Sequence, residues 1–205
     1  MIHGISLKKE ILFILGITVW ILARVIITVI KKKKKVKLNL VKEIMLGILM
    51  LYLFALVGVT LFPIDINWGD RVFLPTSIYI NYIPVVSTIQ SIYALTNSSF
   101  SIGFALNLLI MNIGGNLILL TPLSILLPMI WNKCKQFKYC FLYCFLTSFL
   151  IEALQLVENI FGVGRGRVTD IDDLILNSIG AVIGYFIYKL IIAKYTLAYG
   201  KRIES

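Results

Sequence analysis

A series of five long apolar stretches limits how this chain can fold more than any other feature. The stretches run over Ile11–Ile30, Ile44–Phe62, about Gly103–Trp131, Tyr139–Val157 and Leu174–Ile192. A helix needs roughly 20 apolar residues to cross a bilayer. The sequence therefore predicts an all-α, polytopic helical membrane protein with about five transmembrane helices.

Composition excludes the other protein classes. Residues of the set AVILMFWYC make up 59% of the 205 residues, and charged residues make up only 15%. A soluble protein of this size has too little interior to bury so much apolar surface. The net charge is +10, and the basic residues lie beside the apolar stretches. This placement favours membrane lipids as the basic residues' partner and predicts no binding of nucleic acid.

The basic residues also predict how the chain is oriented. Of the 20 Lys and Arg residues, 14 lie on one side of the predicted spans and five on the other. The larger group comprises Lys31–Lys35, Lys37, Lys42, Lys133, Lys135, Lys138, Lys189, Lys194, Lys201 and Arg202. The positive-inside rule puts that group in the cytoplasm, so we expect the N-terminus outside and the C-terminus inside.

Residues 63–102 would then lie outside. They contain three prolines and several aromatic residues of the kind that suits the headgroup layer. The stretch from Ile78 to Val86 is too short to cross, and we interpret it as an interfacial or re-entrant segment. A plain extracytoplasmic loop is the alternative.

Polar residues inside the third apolar stretch are unexpected, because such groups are costly in a bilayer. Asn112 and Asn116 are four residues apart and therefore share a helix face. Gly114 and Gly115 lie between them and permit close approach of another helix. Pro122 removes a backbone hydrogen bond and predicts a kink.

The fourth and fifth stretches carry further polar residues. Glu152 and Gln155 share one face of the fourth. One stripe of the fifth consists of Asp170, Asp173, Asn177, Gly180 and Gly184, spaced by three or four residues. Asp170 or Thr169 is expected to cap this helix.

The predicted orientation brings these polar residues to the extracytoplasmic side. The expected ligand-binding cluster consists of Asn112, Asn116, Glu152, Gln155, Arg167, Asp170, Asp173 and Asn177. The Arg167 guanidinium would neutralise part of the carboxylates' charge. Interhelical hydrogen bonding without a ligand is the alternative for each residue taken alone.

Cysteine and histidine usage argues against metal chemistry. The cysteines are Cys134, Cys140 and Cys144, without a CxxC motif, and the single histidine is His3. We therefore predict no metal site, no disulfide framework and no cofactor. Cys140 and Cys144 lie four apart on one predicted helix and are expected to pack as small apolar residues.

Four motifs resemble the VanZ-like family over roughly residues 50–190. Asn112-Ile-Gly-Gly-Asn116, followed by Pro122 and Pro128, resembles its third-helix motif, and Glu152-Ala-Leu-Gln155 resembles its Glu-x-x-Gln. Residues 166–184 resemble its Arg-x-x-Asp-x-x-Asp-x-x-x-Asn-x-x-Gly-x-x-x-Gly, with Arg167, Asp170, Asp173, Asn177, Gly180 and Gly184 in the matching positions. Asn81-Tyr-Ile-Pro84 is similar to its outer-loop element.

The resemblance implies a membrane protein of the bacterial cell envelope. The family takes its name from a glycopeptide-resistance protein that lowers susceptibility to teicoplanin. The resemblance thus implies a multi-pass protein of the bacterial cytoplasmic membrane, with antibiotic resistance as an expected effect. It supplies no molecular mechanism.

Three functions remain open from the sequence. The first is binding or modulation of an envelope lipid, a lipid-linked precursor or a lipoglycopeptide at the outer face. The second is a membrane enzyme that acts on a lipid-linked substrate, with Glu152, Asp170 and Asp173 as catalytic candidates. The third is a transport or assembly scaffold. Oligomeric state cannot be predicted from these patterns.

The expected division of the chain has three parts. Residues 1–43 would form the N-terminal transmembrane helix and the lysine-rich cytoplasmic loop. Residues 44–192 would form the VanZ-like membrane domain. Residues 193–205 would form a basic cytoplasmic tail.

Overall fold

The computed structural model describes residues 4–36, 38–67, 80–84, 89, 93, 102–163 and 168–203. The helices are α1 (Lys9–Lys33), α2 (Leu40–Thr60), α3 (Ile102–Leu119), α4 (Thr121–Ile130), α5 (Phe137–Ile160) and α6 (Ile171–Ile203). A short 3-10 helix over Asn132–Lys135 precedes α5. The strands are β1 (Gly4–Leu7), β2 (Ile64–Asn67), β3 (Ile80–Asn81) and β4 (Thr169–Asp170). Strand β1 pairs antiparallel with β2, and β3 pairs with β4.

Five helical segments are long and apolar enough to cross a membrane. They are Lys9–Lys33, Leu40–Thr60, Ile110–Ile130, Phe137–Ile160 and Ile171–Ile192. The prediction of an all-α protein with about five membrane-spanning helices is confirmed. The first and fourth segments extend beyond the predicted apolar stretches at both ends, because polar residues continue the helices there. Lysine side chains at the end of α1 can reach water while their methylene stems stay beside apolar surface.

The third span is not one continuous helix. Helix α3 ends at Leu119, and α4 begins at Thr121 with Pro122 in its first turn. Proline has no N–H for the carbonyl four residues earlier, and its ring clashes with that carbonyl. The predicted kink at Pro122 is therefore present as a complete break.

The structure divides into two compact units. The first comprises Met1–Asn81 with Ile151–Thr169. In it α1 packs on α2 through aromatic rings seated on glycines. Phe54 lies against Gly16, and the ring centroids of Phe13 and Phe54 are 6.5 Å apart in an edge arrangement. Trp20 similarly lies against Gly47.

Charged residues join the same two helices near the lysine-rich segment. Arg24, which lies within α1, forms an ion pair with Glu43 in the first turn of α2. Lys31 Nζ donates to the other carboxylate oxygen of Glu43 at 2.9 Å. One carboxylate thus compensates two cations in a membrane-spanning hairpin.

The second unit comprises Tyr82–Leu150 with Asp170–Ser205. In it α6 packs on α3 and α4 through its predicted glycine stripe. A Cβ atom on Gly180 would overlap the carbonyl group of Leu117, and one on Gly184 would overlap Thr121 and Ser124. Thr121 Oγ1 also donates to the Gly180 carbonyl at 3.0 Å. The break between α3 and α4 therefore lies directly against α6.

The structure bears on two further predictions, one about Gly114 and Gly115 and one about the interfacial stretch. A Cβ on Gly114 or Gly115 would meet no described atom within 4 Å, so no described residue makes the close approach that these glycines permit. The glycines of α6 carry the close contact instead. Within the predicted interfacial stretch, Ile80 and Asn81 form β3. Residues 78, 79, 85 and 86 of that stretch lie outside the part of the chain that the structure describes.

Candidate functional site

One face of α5 is polar and buried. Ser148, Glu152, Gln155 and Asn159 follow each other at intervals of four, three and four, and their exposed fractions are 0%, 7%, 8% and 5%. We call these four residues the α5 polar stripe. Cys140 and Cys144 continue the same face toward the start of the helix and are fully buried. This buried face of α5 therefore carries cysteines in its first half and the polar stripe in its second half.

Gln155 of the α5 polar stripe has a structural partner in the first unit. Its Nε2 atom donates to the Thr60 carbonyl at 2.9 Å. Thr60 is the last residue of α2, where carbonyl groups have no donor within the helix. Gln155 therefore caps the C-terminus of α2, which favours the interhelical interpretation for this residue.

Glu152 lies one turn before Gln155 on the same face and is buried within a membrane-spanning segment. Its backbone carbonyl lies 3.4 Å from the Thr169 hydroxyl, which donates to it. A buried carboxyl group requires compensation by hydrogen bonds or charge. Glu152 remains a candidate site residue.

Asp170 begins α6. Its Oδ1 atom accepts a hydrogen bond from the Asp172 backbone N–H at 2.9 Å, as a helix cap does. Asp172 and Asp173 follow in the first turn, where the helix dipole favours negative charge. The predicted cap is confirmed, and it gives Asp170 a structural role.

Asp173 and Asn116 meet in the second unit. Asn116 Nδ2, on α3, donates to Asp173 Oδ1, on α6. Both side chains are half-buried. Among the described residues, no Lys or Arg forms an ion pair with Asp173. The amide is a neutral donor, so this contact leaves the charge of an ionised carboxylate in place.

Asn177 lies one turn further along the same face of α6. Its Nδ2 atom donates to Ser148 Oγ on α5 at 3.0 Å, and both residues are fully buried. Asn177 Oδ1 accepts no hydrogen bond from any residue that the structure describes. The second unit therefore contains two polar contacts in succession on α6, Asn116–Asp173 and Asn177–Ser148.

The remaining predicted residues behave differently. Asn112 is exposed on α3, and Arg167 lies outside the described residues.

Asn159 was missed by the sequence interpretation, although its position four residues after Gln155 extends the same stripe. Ser148 likewise precedes Glu152 by one turn, and its contact with Asn177 gives it a place beside the candidate residues.

The three cysteines are buried, and the one outside the membrane-spanning segments has a weakly reactive thiol. All three are free and buried. Cys134 lies outside the spans, and burial, with a smaller contribution from Cys140, raises the pKa of its thiol. Such a thiol stays protonated and is a poor nucleophile. In the described part of the chain, no group of three or more His, Cys, Asp or Glu residues could hold a metal ion.

Comparison with known proteins connects this architecture to a family. Residues 49–192 match the model of the VanZ/LLP1 family. The chain belongs to the VanZ/LLP1 family. No curated protein and no solved structure matches it. The resemblance drawn from the motifs is thus confirmed.

The VanZ/LLP1 match contains the polar residues described above. It includes most of α2 and all of α3, α4 and α5, and it continues through the membrane-spanning part of α6. Helix α1, the Lys31–Lys35 run and Glu43 precede it. The ion pairs of the first hairpin therefore lie outside the VanZ/LLP1 segment.

Proposed function

We propose that this VanZ/LLP1 protein binds an envelope lipid or a lipoglycopeptide at the extracytoplasmic face of a bacterial cytoplasmic membrane. Binding would lower the susceptibility of the cell to teicoplanin-type glycopeptides. The single observation that carries the proposal is the contact between Asn116 and Asp173, which holds a half-buried carboxyl group within a membrane-spanning segment. Ionisable groups at such positions are costly and mark functional sites.

Packing alone accounts for some of the polar residues and not for others. Gln155 caps α2, and Asp170 caps α6. Asp173 caps no helix. The dipole of α6 favours its negative charge, but neither the dipole nor the Asn116 amide supplies a positive counter-charge. This difference supports a ligand for Asp173.

The distribution of basic residues supports the side of the membrane. With 14 of 20 Lys and Arg on the proposed cytoplasmic side, the second half of α5 and the start of α6 belong to the outer leaflet. Lipid headgroups lie in that leaflet, and a lipoglycopeptide applied from outside reaches it first. Arg167 and Glu152 are further proposed ligand contacts.

Charge-neutral variants test the proposal. Glu152→Gln and Asp173→Asn keep the shape and most hydrogen bonding of each side chain. We expect both to reach the membrane at wild-type levels and to lose protection against a lipoglycopeptide in a sensitised strain. Glu158→Gln, which removes a charge near the end of the same helix outside the proposed set, is the matched control and should protect fully.

Wild-type protection by both variants at equal expression would contradict the proposal. Photo-crosslinking of envelope lipids to the purified wild-type and Glu152→Gln proteins gives a second readout. A site-dependent adduct is the expected result. Release of a headgroup during the incubation would instead identify a membrane enzyme.

A further inference from the structure

The unpartnered oxygen of Asn177 points to a missing hydrogen-bond donor. Asn177 is fully buried, and its Nδ2 atom is already used by Ser148. Its Oδ1 atom has no donor among the described residues. Leaving a buried acceptor without a donor costs about 1–3 kcal/mol. A buried acceptor of this kind costs least where a bound water or ligand supplies the donor.

Asp173 lies where such a donor would also meet a negative charge. It precedes Asn177 by one turn, so the two Cβ atoms are roughly 6 Å apart on one helix face. Side chains at this spacing can converge on one donor group. Asp173 is only half-buried, and its Oδ2 atom is not used in the contact with Asn116. A ligand can therefore reach the carboxylate and extend toward the amide.

The two oxygens define the chemistry of that ligand. A carboxylate and an amide oxygen accept hydrogen bonds and donate none. A phosphate would meet repulsion from Asp173, and a trimethylammonium group has no N–H to offer Asn177. A primary ammonium group carries a positive charge and three N–H donors, and so satisfies both oxygens.

We propose that this face of α6 binds a primary ammonium group held jointly by the Asp173 carboxylate and the Asn177 carbonyl. The inference rests on the function proposed for the same site and names the part of the ligand that the second unit recognises. Asn116 orients the carboxylate through Oδ1, and Ser148 orients the amide through Nδ2. These contacts leave Asp173 Oδ2 and Asn177 Oδ1 as the two oxygens for the bound group.

Lipid competition tests the inference. The purified full-length chain is placed in nanodiscs of phosphatidylglycerol with equal amounts of phosphatidylethanolamine and phosphatidylcholine, and the retained lipids are measured by native mass spectrometry. We expect retention of phosphatidylethanolamine over phosphatidylcholine, because only the former has N–H donors. The preference should be on the order of tenfold, the effect of one charge-assisted hydrogen bond.

Variants connect the preference to the two oxygens. Asp173→Asn and Asn177→Leu should each abolish it. Asn107→Leu, on an exposed position of α3, is the matched control and should retain it. Asn177→Leu also removes the unpartnered acceptor, so its thermal stability should stay near that of the wild type. Asn177→Asp keeps the acceptor and should keep the preference, which tests the site even where the leucine variant fails to fold.

Several outcomes would overturn the inference. They are equal retention of the two lipids by the wild type, an unchanged preference in Asp173→Asn, and loss of the preference in Asn177→Asp at wild-type stability. Free ethanolamine identifies the source of the amine. Displacement of phosphatidylethanolamine by ethanolamine supports an ammonium site open to soluble amines, whereas resistance to displacement supports one specific for the lipid.

The inference and the proposed function fail separately. Loss of antibiotic protection in Asp173→Asn, without any ammonium preference in the wild type, overturns the inference and supports the function. An ammonium preference that depends on Asp173, with unchanged protection in Asp173→Asn, supports the inference and overturns the function.

Discussion

Gly180 and Gly184 set how closely α6 approaches α3 and α4. At both positions the space that a Cβ would occupy is filled by a backbone carbonyl, which cannot move aside as a flexible side chain can. The contact lies at the break before Pro122, where Thr121 Oγ1 bridges the carbonyls of Leu117 and Gly180. Small residues at this point hold the second unit together.

Substitution of Gly180 by Ala should therefore destabilise the protein. Overfilling a tightly packed site costs about 1–3 kcal/mol. Gly114→Ala is the matched control, because its added methyl group meets no described atom and alanine favours the helix. Thermal unfolding of the purified variants measures the difference. A Gly180→Ala protein as stable as Gly114→Ala would disprove the packing role.

Gln155→Leu should also lower stability, by about 1 kcal/mol, because the Thr60 carbonyl loses the Gln155 donor. The unfolding free energy of the detergent-solubilised protein measures the loss. Antibiotic protection should persist in cells, since Gln155 acts in the cap of α2. Loss of protection at wild-type stability would return Gln155 to the ligand site.

Residue spacing predicted which face each polar residue occupies, but not what that face meets. The stripe of Asp173, Asn177 and Gly180 was predictable because helical periodicity is local. The contact between Gln155 and Thr60 joins residues 95 positions apart, and spacing carries no information about it. Gly114 and Gly180 look equivalent in sequence, and only the neighbouring helix distinguishes them.

At the scale of elements, α1 and α2 form a hairpin joined by both aromatic and ionic contacts. Arg24 and Glu43 are each about one-fifth exposed, at 21% and 22%. Removing one partner of a largely buried ion pair leaves an uncompensated charge, whereas replacing both by apolar residues is often tolerated. The pair can therefore be tested by a double substitution.

Glu43→Leu should destabilise the hairpin by roughly 1–3 kcal/mol, less than for a fully buried pair because of the partial exposure. Arg24→Leu combined with Glu43→Leu should recover most of that loss. Unfolding of the single and double variants in detergent gives the comparison. A double variant no more stable than Glu43→Leu would show that the unpaired Arg24 is not the cause of the lost stability.

Replacing Lys31–Lys35 by arginines should preserve both orientation and antibiotic protection. Positive charge near the cytoplasmic headgroups is all that the predicted topology requires of the run. Protease accessibility and susceptibility tests report the two properties. Lost protection with an unchanged orientation would identify the run as a binding site for a specific partner.

The elements themselves were largely predictable, because five apolar stretches of bilayer length leave few other structures. Pro122 predicted a disturbance of the third span, since its missing N–H is a local property. The full break at Leu120 was not predicted. The break also brings Thr121 Oγ1 to the Gly180 carbonyl, a tertiary contact that residue spacing does not predict.

For the whole molecule, the asymmetry of Lys and Arg predicts an external N-terminus and a cytoplasmic C-terminus. The antiparallel pairing of β1 with β2 agrees with this, because it joins the N-terminus to the segment that follows α2. An even number of spans separates two segments on the same side. The orientation itself is a prediction.

Cysteine labelling tests the predicted orientation. An impermeant thiol reagent should modify Ser98→Cys in intact cells and leave Lys35→Cys unmodified until the cells are opened. The native cysteines are buried, so they should give little background. Labelling of Lys35→Cys alone in intact cells would reverse the proposed orientation.

The ion pair between Arg24 and Glu43 also bears on how the protein is made. Arg24 emerges from the ribosome before Glu43 does, so α1 reaches the translocon first with an uncompensated charge within the helix. An arginine there costs roughly 2.5–3.5 kcal/mol on insertion scales. We therefore expect α1 to wait until α2 emerges, and the two helices to enter the bilayer as a pair.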